Sequence, residues 1–215
     1  SKKVLKPYVD DTPVVSTLLS KEPKGGKIIA ERLLEDFDAV EWKLSNGATV
    51  VYRFADYQKN TVSLQAISEG GTSVYEPQDL PSSSFVHEIA KQSGIGKFDN
   101  NTYNKLMTGK TASSDFSIGN FQESVTGLSA TKDVETMMQL VYMRFEEPRF
   151  DNTIFNNILK RKYLALNNNS DGKAVMRDTL NSIVNSSNPR YFKLDKNHLD
   201  KVNFERVKEI YRDRF

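Results

Sequence analysis

Two hydrophobic periods divide this chain, a period of two in its first half and one near 3.6 in its second. Apolar runs at residues 39–44 and 48–54 flank Ser45-Asn46-Gly47. Asn-Gly between such runs predicts a β-hairpin. Val62, Leu64 and Ala66 alternate with Ser63 and Gln65, so a third strand buries one face until Gly70-Gly71 breaks it. One of Ser82, Ser83 or Ser84 is placed to cap a helix running through Phe85, Ile89 and Ala90 to about Gln92, with Gly94 as its stop. Residues 101–107 predict a shorter helix. Two more strands are expected at residues 112–118 and 121–129, joined at Gly119-Asn120.

From Asp133 the pattern is helical. Val134, Met137, Met138, Val141 and Phe145 form one stripe, and Ile154, Phe155, Ile158, Leu159 and Leu166 a second. After the Asp171-Gly172 break, Met176, Leu180, Ile183 and Val184 form a third, and Phe204, Val207, Ile210 and Tyr211 close the chain. Strands first and helices after predict an α+β fold, a mostly antiparallel sheet packed against a layer of helices. Residues 1–38, punctuated by Pro7, Pro13, Pro23 and Gly25-Gly26, read as a connector in which only Ile28 to Leu34 is apolar enough to order. The domain proper is expected at residues 39–215.

Composition narrows the chemistry more than the class. The 215 residues include two histidines and no cysteine. Zinc sites draw three or four ligands from His, Cys, Asp and Glu, nearly always with some imidazole or thiolate. His87 and His198 lie far apart in sequence, so no close pair seeds such a site. Cysteine nucleophiles are excluded, and a serine nucleophile has only two possible imidazole bases. Thirty Lys and Arg against 28 Asp and Glu give a net charge of +2, too little basic excess for a nucleic-acid footprint. No run of residues is long and apolar enough to span a membrane.

The block Glu41-Trp42-Lys43-Leu44-Ser45-Asn46-Gly47-Ala48-Thr49-Val50-Val51-Tyr52 is followed about one strand later by Gly70-Gly71-Thr72-Ser73. Downstream come Ser93-Gly94-Ile95-Gly96, Leu106-Met107-Thr108-Gly109-Lys110, Gly127-Leu128-Ser129 with Lys132-Asp133, Gln139-Leu140-Val141-Tyr142, and Pro148-Arg149-Phe150-Asp151. Together these resemble a domain of the pitrilysin/insulinase family of zinc metallopeptidases, the inverzincins. The resemblance covers most of the chain and is most specific in the Trp-x-Leu-Ser-Asn-Gly block and from Lys132 to Phe155.

The resemblance implies several homologous α+β domains closing around a peptide. It also implies a helix in the active domain whose H-x-x-E-H motif binds zinc through two histidines while its Glu activates water. With Gly94 and Phe98 anchoring the register, the matching positions here are Phe85-Val86-His87-Glu88-Ile89. Glu88 stands at the motif's Glu, and Phe85 and Ile89 stand where both histidine ligands would be. No Glu occurs between Glu147 and Glu205 to complete a site. The expectation is an inactive domain of the third type, with no catalytic, cofactor or metal residue of its own and a vestigial Glu88. Zinc is expected in another domain of a longer polypeptide. Val207 to Phe215 resembles the helix that closes such a domain, before a next one.

The implied function is a non-catalytic domain of a multi-domain zinc endopeptidase, forming part of the wall of its peptide-binding chamber. Its partners would be the other domains and a peptide or unfolded-protein substrate, with no nucleic acid and no membrane span. The compartment implied is the periplasm or cell envelope of a bacterium. The alternative is a structural or assembly subunit of the same fold with no peptidase role. Other features read more plainly. His87 is a surface or hydrogen-bonded side chain, and His198 belongs to a polar connector. Lys160-Arg161-Lys162 is a solvated helix face, and Gly94-Ile95-Gly96 is turn chemistry. Met137, Met138, Met143 and Met176 fill core. Phe37, Trp42, Tyr52, Phe54 and Tyr57 pack in the core or between domains.

Overall fold

The strand-forming half of the sequence builds two antiparallel, three-stranded sheets. The computed structural model describes residues 18–19, 21–167, 172–185 and 188–215. The connector up to residue 17 and the break at Asp171 lie outside the described residues. The first sheet has the order β1 (Ile28–Leu34), β2 (Ala39–Leu44), β3 (Thr49–Arg53). The Asn-Gly hairpin forms as predicted, with Val40 opposite Tyr52 and Trp42 opposite Val50. The ordered end of the connector is a strand, pairing Glu31 with Trp42 and Leu33 with Val40 across a bulge near Ile28.

The second sheet has the order β4 (Thr61–Glu69), β6 (Gln122–Ala130), β5 (Ala112–Ile118). Its residues alternate as a half-buried sheet requires. Ser114, Phe116, Glu123, Val125 and Ser129 are buried on one face, while Ser63, Gln65, Ser113 and Leu128 stand exposed on the other. The buried face meets helices. In chain order the helices of the described residues are α1 (Leu80–Ser83), α2 (Val86–Ser93), α3 (Asn100–Leu106), α4 (Val134–Glu146), α5 (Asn152–Asn167), α6 (Gly172–Val184), α7 (Lys196–Asp200) and α8 (Phe204–Arg214). Those nearest the buried face are α2 and α4. The fold is thus α+β.

One core joins Phe85, just ahead of α2, and Val86 and Ile89 on that helix to Phe116, Val125, Ile158, Val207, Ile210 and Tyr211. A second gathers Leu18, Ile95, Phe98, Leu140 and Met143. Burying an aliphatic side chain as completely as Ile89, Leu140 or Ile158 stabilises the fold by about 1.5–3 kcal/mol each. Gly71 makes the turn out of β4 possible. Its φ is +56°, and a Cβ there would stand 2.4 Å from the Gly119 carbonyl oxygen. Its N–H donates to buried Glu123 at 2.7 Å, and Arg214 of α8 approaches the same carboxylate at 3.7 Å.

Several expectations are corrected. None of Ser82, Ser83 or Ser84 caps α2, because α1 runs almost directly into it and leaves few free N–H groups to cap. Ser83 and Ser84 instead donate back to the carbonyls of Leu80 and Pro81, at 2.9 and 2.7 Å. Ser82 accepts from the Asn203 N–H at 3.1 Å, tying α1 to the start of α8. On α4 the buried positions are Met137, Leu140, Met143 and Arg144, while Met138 and Phe145 face outward. The helix is turned so that Met137 fits over Gly127, where a Cβ would sit 2.9 Å from its sulfur.

His198 is not in a connector. It lies in α7, stacked on Phe192 at 4.4 Å and bonded to Asp195 at 2.6 Å. The α6 stripe has the expected period, yet Met176, Leu180, Ile183 and Val184 are all exposed. Met176 and Met138 are therefore not core fillers. Phe37, Tyr52, Phe54 and Tyr57 are likewise exposed rather than in the core, since among the described residues the strands of the first sheet make their extensive contacts with one another. Trp42 lies on that sheet, stacked on Tyr52 at 6.0 Å and donating its indole N–H to Glu31 at 2.9 Å.

Candidate functional site

Helix α2 places the five residues from Phe85 to Ile89 between the core and the edge of the second sheet. Helical spacing puts Phe85 and Ile89 on one face, and that face is the core: they are 2% and 0% exposed. Glu88 points elsewhere, toward α5. Lys162 meets its carboxylate at 2.9 Å and Arg161 at 3.5 Å. Gln92 donates to it at 3.2 Å and also accepts from Arg161 at 2.9 Å. The basic run on α5 is thus not merely solvated, because two of its three cations neutralise Glu88.

These surroundings do not fit a zinc ion. Zinc at this place would need two imidazoles where two apolar side chains fill the core. It would also need acidic ligands where α5 presents cations. Among the described residues no three His, Asp or Glu side chains converge on one point.

His87 lies on the outer flank of α2. Its Nε2 meets Oδ1 of Asp115 on β5 at 2.9 Å, and its ring leans on Phe116 with centroids 5.1 Å apart. Lys91, one turn further along α2, bonds the other carboxylate oxygen of Asp115. The Phe116 N–H donates to Oδ1 as well, at 2.9 Å. Partial burial raises the Asp115 pKa, but the bonds from Lys91, His87 and Phe116 outweigh it and hold the carboxyl below its ordinary value. Asp115 thus orients the His87 imidazole, and among the described residues no hydroxyl bonds to that ring.

A cleft of about 260 Å³ opens beside His87, lined also by Thr72, Ser84, Asn120, Arg190 and Phe192. Arg190 spends its guanidinium on main-chain carbonyls, those of Thr72 at 3.1 Å and Tyr75 at 2.8 Å. It therefore fixes the turn after β4 instead of offering a cation to the cleft. Buried Arg144 on α4 acts similarly, donating to the Ser114 carbonyl at 3.0 Å and lying 5.6 Å over the Phe116 ring. Sequence reasoning did not single out Asp115, Lys91, Arg144 or Arg190. The one available signal was a charged residue, Asp115, in the middle of the predicted strand at 112–118.

No family model matches the chain. Its sequence is 23% identical over 119 residues to the probable zinc protease PqqL of Haemophilus influenzae, a stretch that makes up 55% of this chain and 13% of that protein. Its fold matches the periplasmic protease PqqL from Escherichia coli with a TM-score of 0.80 and 17% identity, over 100% of this chain and 23% of that one. A mutant of the ferredoxin protease FusC, solved in complex with Arabidopsis ferredoxin, matches with a TM-score of 0.73 and 18% identity, over 97% of this chain and 23% of that one. The chain thus spans less than a quarter of either solved protease.

Proposed function

We propose that this chain is a non-catalytic domain of a multi-domain zinc endopeptidase of the pitrilysin/insulinase type, and that it forms part of the wall of the peptide-binding chamber. The observation that carries this reading is the environment of α2. Phe85 and Ile89, aligned with the motif's two histidines, are core residues, and Glu88 is neutralised by Arg161 and Lys162. Similarity to a zinc protease over half the chain supports the family, and the small share of each relative that is covered supports a domain of a longer protein. Zinc would be held in another domain of that protein.

In this reading the substrate is a peptide or an unfolded protein, and the chain supplies shape rather than a bond-breaking group. The ferredoxin held by the related protease supports a protein substrate. A bacterial periplasm is the compartment, by likeness to the Escherichia coli enzyme. Zinc content of the purified chain after dialysis against a weak chelator tests the reading. A molar ratio near zero is expected, together with no hydrolysis of unfolded protein. A ratio near one would overturn it.

A further inference from the structure

Asn46 is the one asparagine of this chain that is followed by a glycine. The pair sits at the tip of the β2–β3 hairpin, in the exposed loop Ser45-Asn46-Gly47. The Gly47 N–H donates to the Leu44 carbonyl at 3.0 Å, and the Leu44 N–H to the Ala48 carbonyl at 2.8 Å. Gly47 has a φ of +89°, so a left-handed residue closes the turn. A Cβ there would meet nothing within 4 Å. Neither a side chain of its own nor tertiary packing therefore shields the Gly47 nitrogen.

A main-chain nitrogen that follows an asparagine can attack the carbon of that side chain's amide. Here the Gly47 nitrogen gives its proton to a water base and forms a bond to Asn46 Cγ. The Cγ–Nδ2 bond breaks, and Nδ2 takes a proton from water and leaves as ammonia. A succinimide ring remains, and water adds to either of its carbonyls. Breaking the new bond between Gly47 N and Cγ gives aspartate. Breaking the original bond between the Asn46 carbonyl carbon and Gly47 N gives isoaspartate, whose main chain runs through Cβ and Cγ. Nothing is oxidised or reduced, and water is the co-reactant.

The closed hairpin withholds both reactants. The Leu44 carbonyl keeps the proton of Gly47 N from solvent, and Asn46 Oδ1 is held by the Ala48 N–H at 3.1 Å. The loop is also pinned to the start of β1. Ser45 N–H donates to the Lys27 carbonyl at 2.8 Å, and Lys27 N–H to Ser45 Oγ at 3.1 Å. We propose that Asn46 is a site of spontaneous deamidation gated by this turn, reacting when the first sheet opens there. Isoaspartate lengthens the main chain by one carbon between the paired Lys43 and Thr49, so the product no longer fits the turn and the opening leaves a permanent mark. The proposal does not rest on the protease reading, because it follows from the bonds of the turn.

Peptide mapping by mass spectrometry of the purified chain, aged in mildly alkaline buffer with and without unfolding urea, tests it. Asn46 should convert to aspartate and isoaspartate in urea. In the folded chain conversion should be slower by about tenfold or more, since the bonds at Gly47 N–H and Asn46 Oδ1 must break first. Trp42→Ala removes the stack on Tyr52 and the bond to Glu31. It should speed conversion in native buffer while the helical circular dichroism is retained. An Asn46 that survives in urea would overturn the site. Equal rates with and without urea would overturn the gate, as would a Trp42→Ala rate no faster than that of the unaltered chain. Should Trp42→Ala lose its helical signal as well, urea below the unfolding transition replaces it. Conversion in the unaltered chain must then rise before the helical signal falls for the proposal to stand.

Discussion

Arg206 of α8 grips Asp79, just ahead of α1, with two parallel bonds: Nε to Oδ1 at 3.0 Å and a terminal nitrogen to Oδ2 at 3.1 Å. The same guanidinium lies 5.4 Å over the Tyr75 ring, with Arg214 over that ring at 5.7 Å. The last helix is therefore fastened to the turn that follows β4. The bonds to Asp79 and Glu209 raise the Arg206 pKa, so the guanidinium keeps its charge. Arg206→Ala should lower stability by about 1–3 kcal/mol, the range for charge-assisted bonds. Arg206→Lys should recover only part of this, because an ammonium cannot reproduce the fork. Urea unfolding midpoints would read both.

Tyr211 gives the fold an alkaline limit. Its hydroxyl donates to the Arg144 carbonyl at 2.7 Å, and burial pushes its pKa up to about 12. For an acid whose folded pKa lies above its ordinary 10.0, stability is fully present below pH 10 and is lost as pH rises toward 12. Tyr211→Phe should lose about 1 kcal/mol at neutral pH, the net worth of the bond. It should also lose stability less steeply than the unaltered chain between pH 10 and 12. Thermal melts across that range would separate the two effects.

Gly71 and Gly109 both have positive φ, +56° and +80°, but only Gly71 is hemmed in by backbone. Around Gly109 a Cβ would meet nothing within 4 Å. Gly109→Ala should therefore cost about 1 kcal/mol of conformational strain. Gly71→Ala should cost several times that, since Gly119 and Gln122 would have to move and the bond to Glu123 would be disturbed. Equal costs, measured by denaturant unfolding, would show that the turn yields freely.

The apolar stripe of α6 adds nothing to the core, so polar substitutions there should be tolerated. Met176→Ser with Ile183→Ser should change the unfolding free energy by less than about 0.5 kcal/mol per site, apart from helix propensity. The same pair should reduce self-association in sedimentation velocity if the stripe is sticky. A large loss of stability would mean that α6 packs more closely than its exposure indicates.

What is legible in the sequence follows local rules. The Asn-Gly hairpin, the alternating strands and the four later helices each carry their period in a few neighbouring residues. The rest depends on what lies opposite. Met138 and Met137 are equally apolar, and only Gly127 across the interface decides which is buried. Asp115 has no visible role until the chain folds, because its partners His87, Lys91 and Phe116 come from two elements. Glu88 is separable from the core by helical spacing, but its neutralisation by α5 is a tertiary fact. The α6 stripe and the aromatic hairpin are legible as amphipathic and not as exposed, since periodicity shows a face without showing what covers it.

The self-contained bonding of the first sheet divides the folding free energy unevenly along the chain. Its ladders join β1 to β2 and β2 to β3, and the connection at residues 54–60 that leads onward is exposed throughout. Such a unit can open while the core around Ile89, Ile158 and Ile210 stays closed. The described residues should therefore open as two cooperative pieces of unequal depth. The shallower one, which carries the Trp42–Tyr52 stack, would melt first, so indole fluorescence would report the opening of that piece rather than the unfolding of the whole.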